Sequence, residues 1–127
     1  MVGYSDRMEL AIAAADLVVS RAGAGALSEL TCVGVPAVYV PYPVGNGEQA
    51  VNVRGVVAAG GGIVVADADF TPDWVLAHVL PLLSDPAALA RMSRAATSVG
   101  TRDGAARMAD LVLDAVAARP SRPAARR

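Results

Sequence analysis

The chain has 127 residues, of which 54% are hydrophobic, 18% charged and only 4% aromatic. That length fits one domain with one ordinary core and leaves no room for two sizeable lobes with a cleft between them, so an enzyme needing both is expected to be only partly represented. With 11 basic against 12 acidic residues the charge nearly cancels, which argues against a general nucleic-acid binder.

No window reaches the roughly 20 unbroken apolar residues of a membrane span. Met1-Val2-Gly3-Tyr4-Ser5-Asp6 has neither the basic start nor the apolar stretch of a signal peptide, and the expectation is a soluble intracellular protein. The single Cys32 excludes an internal disulfide, in keeping with that. Every basic side chain is Arg, and their spread beside abundant Ala and Gly reads as coding bias rather than adaptation to phosphate.

Met8, Ala11, Ile12 and Ala15 follow the spacing of an amphipathic helix, with Asp6 or Ser5 as N-cap. Leu17-Val18-Val19 is too short for a helix and rich in β-branched residues, and reads as a buried strand. A small-residue loop, Ser20 to Gly25, leads to a helix through Leu27, Leu30 and Val33 that Gly34 and Pro36 end. Ala37 to Val40 is a second strand, followed by the loop Tyr42 to Gly47. A helix marked by Val53, Val56 and Val57 is expected from Glu48 to Gly60-Gly61-Gly62, and Ile63-Val64-Val65 gives a third strand. Thr71-Pro72 opens a helix with Val75, Leu76, Val79, Leu80 and Leu83 inward, and Asp85-Pro86 opens one burying Leu89, Met92, Ala96 and Val99. A last helix carries Met108, Leu111, Val112 and Ala115. From Arg119 the Arg- and Pro-rich stretch has nothing to bury and is expected to be a disordered, solvated tail.

Alternating helices and short apolar strands indicate an α/β fold, a parallel sheet with helices on both faces. Three strands fall short of the usual five or so, as in the second half of a doubly wound domain. Ligands of such sheets bind at the carboxyl ends of the strands. There, Ser20-Arg21-Ala22-Gly23-Ala24-Gly25-Ala26-Leu27-Ser28-Glu29 carries a strand through small residues into a helix start, whose free N–H groups and dipole attract a phosphate or diphosphate. Glu29, about one turn in, has the carboxylate to accept from two adjacent ribose hydroxyls. The plain alternative is a tight turn at Gly23 and Gly25, with Glu29 serving the helix dipole. Asn46, Glu48, Gln49 and Asn52 gather at the same edge; each alone reads as a turn former or cap, and together with the first loop they suit a nucleotide-sugar pocket.

The stretch from Asp6 to Asp67, above all Ala13-Ala14-Ala15-Asp16-Leu17-Val18-Val19-Ser20-Arg21-Ala22-Gly23-Ala24, Ser28-Glu29-Leu30, Gly34-Val35-Pro36-Ala37 and Pro41-Tyr42-Pro43-Val44-Gly45-Asn46-Gly47-Glu48-Gln49, resembles the MurG family of bacterial peptidoglycan N-acetylglucosaminyltransferases. Its actinobacterial members look most alike, and the similarity extends more loosely to about Val116. The resemblance implies a Rossmann-like sheet forming most of the C-terminal, donor-binding lobe of a two-lobed GT-B enzyme, incomplete at its N-terminal side, over residues 1–118, with 119–127 as tail. It further implies inverting transfer of N-acetylglucosamine from UDP-N-acetylglucosamine to lipid I, forming lipid II at the cytoplasmic membrane face, without metal or other cofactor and without nucleic acid. The acceptor and the catalytic base belong to the other lobe.

By the same resemblance Ala24, Gly25, Ala26, Leu27, Ser28 and Glu29 form the UDP-binding helix start, with Glu29 on the ribose. Gln49 binds the donor sugar, Arg21 lies beside the diphosphate, and Ser5 with Tyr4 and Met8 forms the uracil segment; Glu48 and Asn52 are further candidates. Ala26 stands where the family usually has a Thr and Ala22 where a Ser is common, and each missing charge-assisted hydrogen bond costs about 1.5 to 3 kcal/mol. A non-catalytic module paired with a separate acceptor lobe, or the donor lobe of a natural-product or glycolipid transferase, stays open as an alternative. His78, alone among Leu76 and Val79, reads as structural or surface, and Cys32 as a small core residue. Asp67-Ala68-Asp69 reads as a loop and helix-entry signal rather than a metal motif.

Overall fold

The computed structural model describes residues 3–118. Three parallel strands, β1 (Val18–Ser20), β2 (Ala37–Tyr39) and β3 (Gly62–Val64), form one sheet in that order, with Val19 opposite Val38 and Val38 opposite Ile63. They fall on the three apolar runs, displaced by up to one residue. Val40 and Val65 lie just past their strands yet still bond across the sheet, Val40 N–H to Ser20 O at 2.8 Å and Val65 N–H to Tyr39 O at 3.0 Å. Seven helices accompany the strands among the described residues: α1 (Met8–Ala13), α2 (Ala24–Val33), α3 (Glu48–Asn52), α4 (Arg54–Ala58), α5 (Pro72–Leu83), α6 (Pro86–Val99) and α7 (Gly104–Ala117).

Successive side chains of a strand point to opposite faces, and β2 builds two cores that way. Ala37 and Tyr39 pack with Ile12 of α1, Leu30 of α2, Val53, Val56 of α4 and Ala96 of α6. Val38 and Val40 pack with Val65 and with Val79 of α5, flanked by Trp74 and Val75. Helices thus cover both faces of the sheet, as the apolar strands require.

The start and stop signals of three helices act as read. Thr71 Oγ1 accepts from Trp74 N–H at 3.2 Å and Asp85 Oδ1 from Ala88 N–H at 2.9 Å, each followed by proline in the first turn. Gly34 ends α2 at φ 86°, and its N–H reaches Leu30 O at 2.8 Å.

Other expectations need correcting. The N-cap of α1 is Arg7 rather than Asp6 or Ser5, and no side chain caps it; the Ser5 hydroxyl is engaged one turn earlier, accepting from Arg7 N–H at 3.3 Å. The helix after Glu48 is two short helices, because the chain turns at Val53 to bury that side chain in the first core. Ala11 and Met8 are exposed, whereas Ala15, just past the end of α1, does pack against the first core. Val33 of α2 is exposed as well, and so are Leu76, Leu80, Leu83 and Val99, since α5 and α6 each bury a narrower stripe than their apolar positions allow. The whole of α7 is exposed, Met108, Leu111, Val112 and Ala115 included, with no buried residue. Its amphipathic pattern marked an apolar face, and nothing among the described residues covers it. The stretch 119–127 lies outside the described residues.

Two predictions follow from the larger core. A Cβ at Gly61 would lie 2.5 Å from the backbone nitrogen of Ala96, so the start of β3 rests directly on α6. Gly61→Ala is expected to lower the unfolding free energy by about 1 to 3 kcal/mol, read as a lower urea midpoint. Tyr39 is fully buried, its hydroxyl has no hydrogen-bond partner among the described residues, and burial pushes its pKa above the ordinary value of 10.0. The unfolded chain therefore gives up this proton first, and stability falls as pH rises above about 10. Tyr39→Phe is expected to gain about 1 kcal/mol at neutral pH and to flatten the alkaline decline, measured by denaturation between pH 8 and about 11.

Candidate functional site

Because the strands are parallel and adjacent, the chain leaves all three at the same edge of the sheet. From β1 it passes through Arg21, Ala22 and Gly23 straight into α2. The first amide to find a helical acceptor is Leu27 N–H, which reaches Gly23 O at 3.0 Å. Those of Ala24, Gly25 and Ala26 have none among the described residues, and no side chain caps the helix. Ala24, Gly25 and Ser28 are exposed, while Ala26 and Leu27 are half-buried. Gly23 has φ −68° and ψ 147°, which any residue adopts, and a Cβ at Gly23 or Gly25 would meet nothing within 4 Å. Neither turn geometry nor packing calls for glycine here, which removes the tight-turn explanation. The two glycines leave open space at a helix start that carries three free N–H donors and the positive end of the helix dipole, a place suited to an anion.

The second loop is tied to the first through α3. The side-chain carbonyl of Gln49 accepts from Ala22 N–H at 3.2 Å and from Tyr42 N–H at 2.9 Å, and the amide of Asn52 donates to Ala22 O at 3.2 Å. Both peptide groups of the fully buried Ala22 are therefore satisfied by α3 side chains. Gln49 and Asn52 thus frame the loop, a role that sequence reading had not given them. With its carbonyl engaged, Gln49 keeps its NH₂ group for a ligand, able to donate and not to accept. Glu48 pairs with Asn46 at the mouth of the same loop, its N–H donating to Asn46 Oδ1 at 3.2 Å and its carboxylate accepting from Asn46 Nδ2 at 3.3 Å.

The third loop joins through Arg21. Its Nη1 donates to Val40 O at 3.3 Å and Pro41 O at 3.5 Å and forms an ion pair with Asp67, while its guanidinium carbon lies 5.5 Å from the centre of the Tyr42 ring. All of these bonds use Nη1; the Nε and Nη2 edge has no partner among the described residues. Asp67, read from sequence as part of a helix-entry signal, is the residue that reasoning missed. It begins a 3-10 turn, Asp67–Asp69, separated from β3 by two residues. The available signal was an acid at a strand's carboxyl end facing a lone Arg at another's.

Other candidates stand apart from this lacing. Glu29 is exposed on α2 and makes no hydrogen bond or ion pair among the described residues. Ser5, half-buried, bonds only Arg7 at the approach to α1, and Tyr4 and Met8 are exposed there. His78 is exposed, stacked on Trp74 at 4.4 Å, with Nδ1 2.8 Å from Trp74 O, a surface role as read. Cys32 is a half-buried free thiol. Among the described residues no three His, Cys, Asp or Glu side chains gather where a metal could sit, and no helix is long and apolar enough to cross a membrane.

Residues 1–108 match the glycosyltransferase family 28 C-terminal domain. The chain belongs to that family. A UDP-N-acetylglucosamine N-acetylmuramyl-(pentapeptide) pyrophosphoryl-undecaprenol N-acetylglucosamine transferase of Clavibacter michiganensis is 96% identical over 127 residues, all of this chain and 35% of the relative. The enzyme of that name from Leifsonia xyli is 58% identical over 112 residues, 88% of this chain and 31% of its own. The family 28 chain thus spans about a third of the length of the curated relatives it matches. Among solved structures, Acinetobacter baumannii MurG superposes with a TM-score of 0.80 at 26% identity, covering 89% of this chain and 33% of that one. A kitacinnamycin glycotransferase gives 0.63 at 33% identity, covering 84% and 27%. The fold of the family 28 chain is accordingly that of a GT-B C-terminal domain.

Gly25 separates folding from binding. Gly25→Ala adds a methyl group into open space within a helix, and is expected to stabilise the chain by about 0.5 to 1 kcal/mol in thermal or urea melts. The same methyl group occupies the approach to the free amides, so affinity for a phosphate-bearing ligand is expected to fall in the more stable variant, as a titration would show.

Proposed function

We propose that residues 1–118 are the donor-binding part of an inverting transferase that moves N-acetylglucosamine from UDP-N-acetylglucosamine to lipid I, forming lipid II, at the inner face of the cell membrane. The observation that carries this reading is the uncapped start of α2 with open space at Gly23 and Gly25, beside the free amide group of Gln49. It stands in a chain whose relatives are named for this transfer.

In this reading the N–H groups of Ala24, Gly25 and Ala26, with the free edge of Arg21, hold the diphosphate and stabilise the charge that develops on UDP as it departs. Leu27 and Ser28 shape the same helix start. The exposed carboxylate of Glu29 accepts from the ribose hydroxyls. Gln49 donates to a hydroxyl of the sugar, supported by Glu48 and Asn52, and Ser5 with Tyr4 and Met8 borders the uracil. No metal or other cofactor enters; helix dipole, amides and guanidinium supply the positive charge. The lipid acceptor and the base that deprotonates its hydroxyl lie with the remainder of a two-lobed enzyme, so this part orients the donor and does not complete the reaction. The likeness to a kitacinnamycin glycotransferase favours a second reading, the same donor role toward a natural-product acceptor.

Calorimetric titration of UDP and UDP-N-acetylglucosamine tests donor binding. Saturable heat for both is expected, and UDP at 100 times its dissociation constant should add about 2.7 kcal/mol of stability in a melt. No heat for either at millimolar ligand overturns the reading. Exchanging this chain for the matching third of the Clavibacter michiganensis relative and assaying lipid II formation tests whether it serves as the donor part of that transfer; loss of lipid II formation in a folded chimera counts against the first reading.

A further inference from the structure

We propose that Asp67 is a positioning residue for the donor, acting through Arg21. The inference rests on the reading of Arg21 as a diphosphate contact and adds the group that aims it. Arg21 follows β1 and Asp67 follows β3, 46 positions later, and β2 separates the two strands in the sheet. An arginine leaving β1 at this edge has a long, flexible side chain with many accessible rotamers. Here one nitrogen, Nη1, meets the carbonyls of Val40 and Pro41 and the carboxylate of Asp67. The Tyr42 ring lies against the guanidinium on another side.

The two carbonyls are weak acceptors at 3.3 and 3.5 Å, and Asp67 supplies the one charged anchor. Because a guanidinium is planar, fixing Nη1 at one corner fixes where the Nε and Nη2 donors lie, and those are the donors without a partner. An anion that takes two parallel N–H bonds then meets a pre-aimed fork and does not have to order the side chain itself. Asp67 is half-buried and borders the hollow that Val19, Ser20, Arg21, Val40 and Phe70 line. Its carboxylate makes no hydrogen bond to the amides of α2 among the described residues; its recorded partner is Arg21.

The test compares UDP with uridine, which lacks the diphosphate, by NMR titration of the intact chain and its Asp67→Asn, Asp67→Glu, Arg21→Ala and double Arg21→Ala/Asp67→Asn variants. Asp67→Asn, isosteric but uncharged, is expected to weaken UDP about three- to fivefold while uridine stays within about twofold, the scale of one partly exposed ion pair. Asp67→Glu restores most of the loss, and the double variant binds UDP no worse than Arg21→Ala alone, because the two residues act as one unit. A merely structural role would weaken uridine and UDP alike and leave their ratio unchanged, which overturns the proposal. UDP bound as tightly by Asp67→Asn as by the parent, or more tightly, overturns it while leaving the role of Arg21 standing. Arg21→Ala without effect on UDP removes the underlying reading and the proposal together.

Discussion

The hydrogen-bonded pairing of β2 along both its edges is the constraint on which everything else in the described residues depends. Its side chains are buried throughout, and their alternation divides the apolar residues of the helices into two cores. Because the pairing is parallel on both sides, it also brings residues 21, 42 and 67 to one edge, though their separation in the chain gives no local reason for them to meet. Parallel pairing is thus both the structural frame and the device that assembles the polar edge.

That edge is held differently from the sheet beneath it. Only β2 is buried throughout; β1, read from sequence as a buried strand, has no buried residue and exposes Val19, and β3 exposes Val64, whereas the loops are laced by side chains reaching foreign backbone groups: Gln49 and Asn52 to Ala22, Arg21 to Val40 and Pro41. Each such bond contributes a modest net stabilisation of about 0.5 to 1.5 kcal/mol. The open start of α2 is the complementary feature, its free amides joining the unpartnered edge of Arg21 and the NH₂ group of Gln49 as donors left available. A frame firm below and polar above suits a ligand that must be gripped by several weak, directional contacts.

Much of this was legible in the sequence where the rule is local. Apolar runs bounded by Gly and Pro marked the strands, and Thr71, Asp85 and Gly34 announced helix ends, because each of these signals acts over four residues or fewer. The break at Val53 was hidden, since its valines fit one continuous helix as well as two. The faces of α5, α6 and α7 were misjudged for a related reason: periodicity tells which side of a helix is apolar and says nothing of how much of it the neighbours cover. At the edge, Gln49 and the small residues of α2 could be picked out, but not that the Gln49 carbonyl would face the backbone, nor that Arg21 would find Asp67. Those depend on the sheet register, which no short window of sequence contains.

The turn at Val53 has a consequence in time. On one side of it α4 is rooted by Val56, while on the other α3 has no buried residue of its own and is held by Gln49, Asn52 and the buried Val53 that caps it. Such a segment has less burial to lose than β2, so its amides are expected to exchange with solvent sooner than those of β2, which wait for global unfolding. A ligand engaging the free end of Gln49 would slow that exchange, and residence at this edge would be governed by how often one five-residue helix lifts.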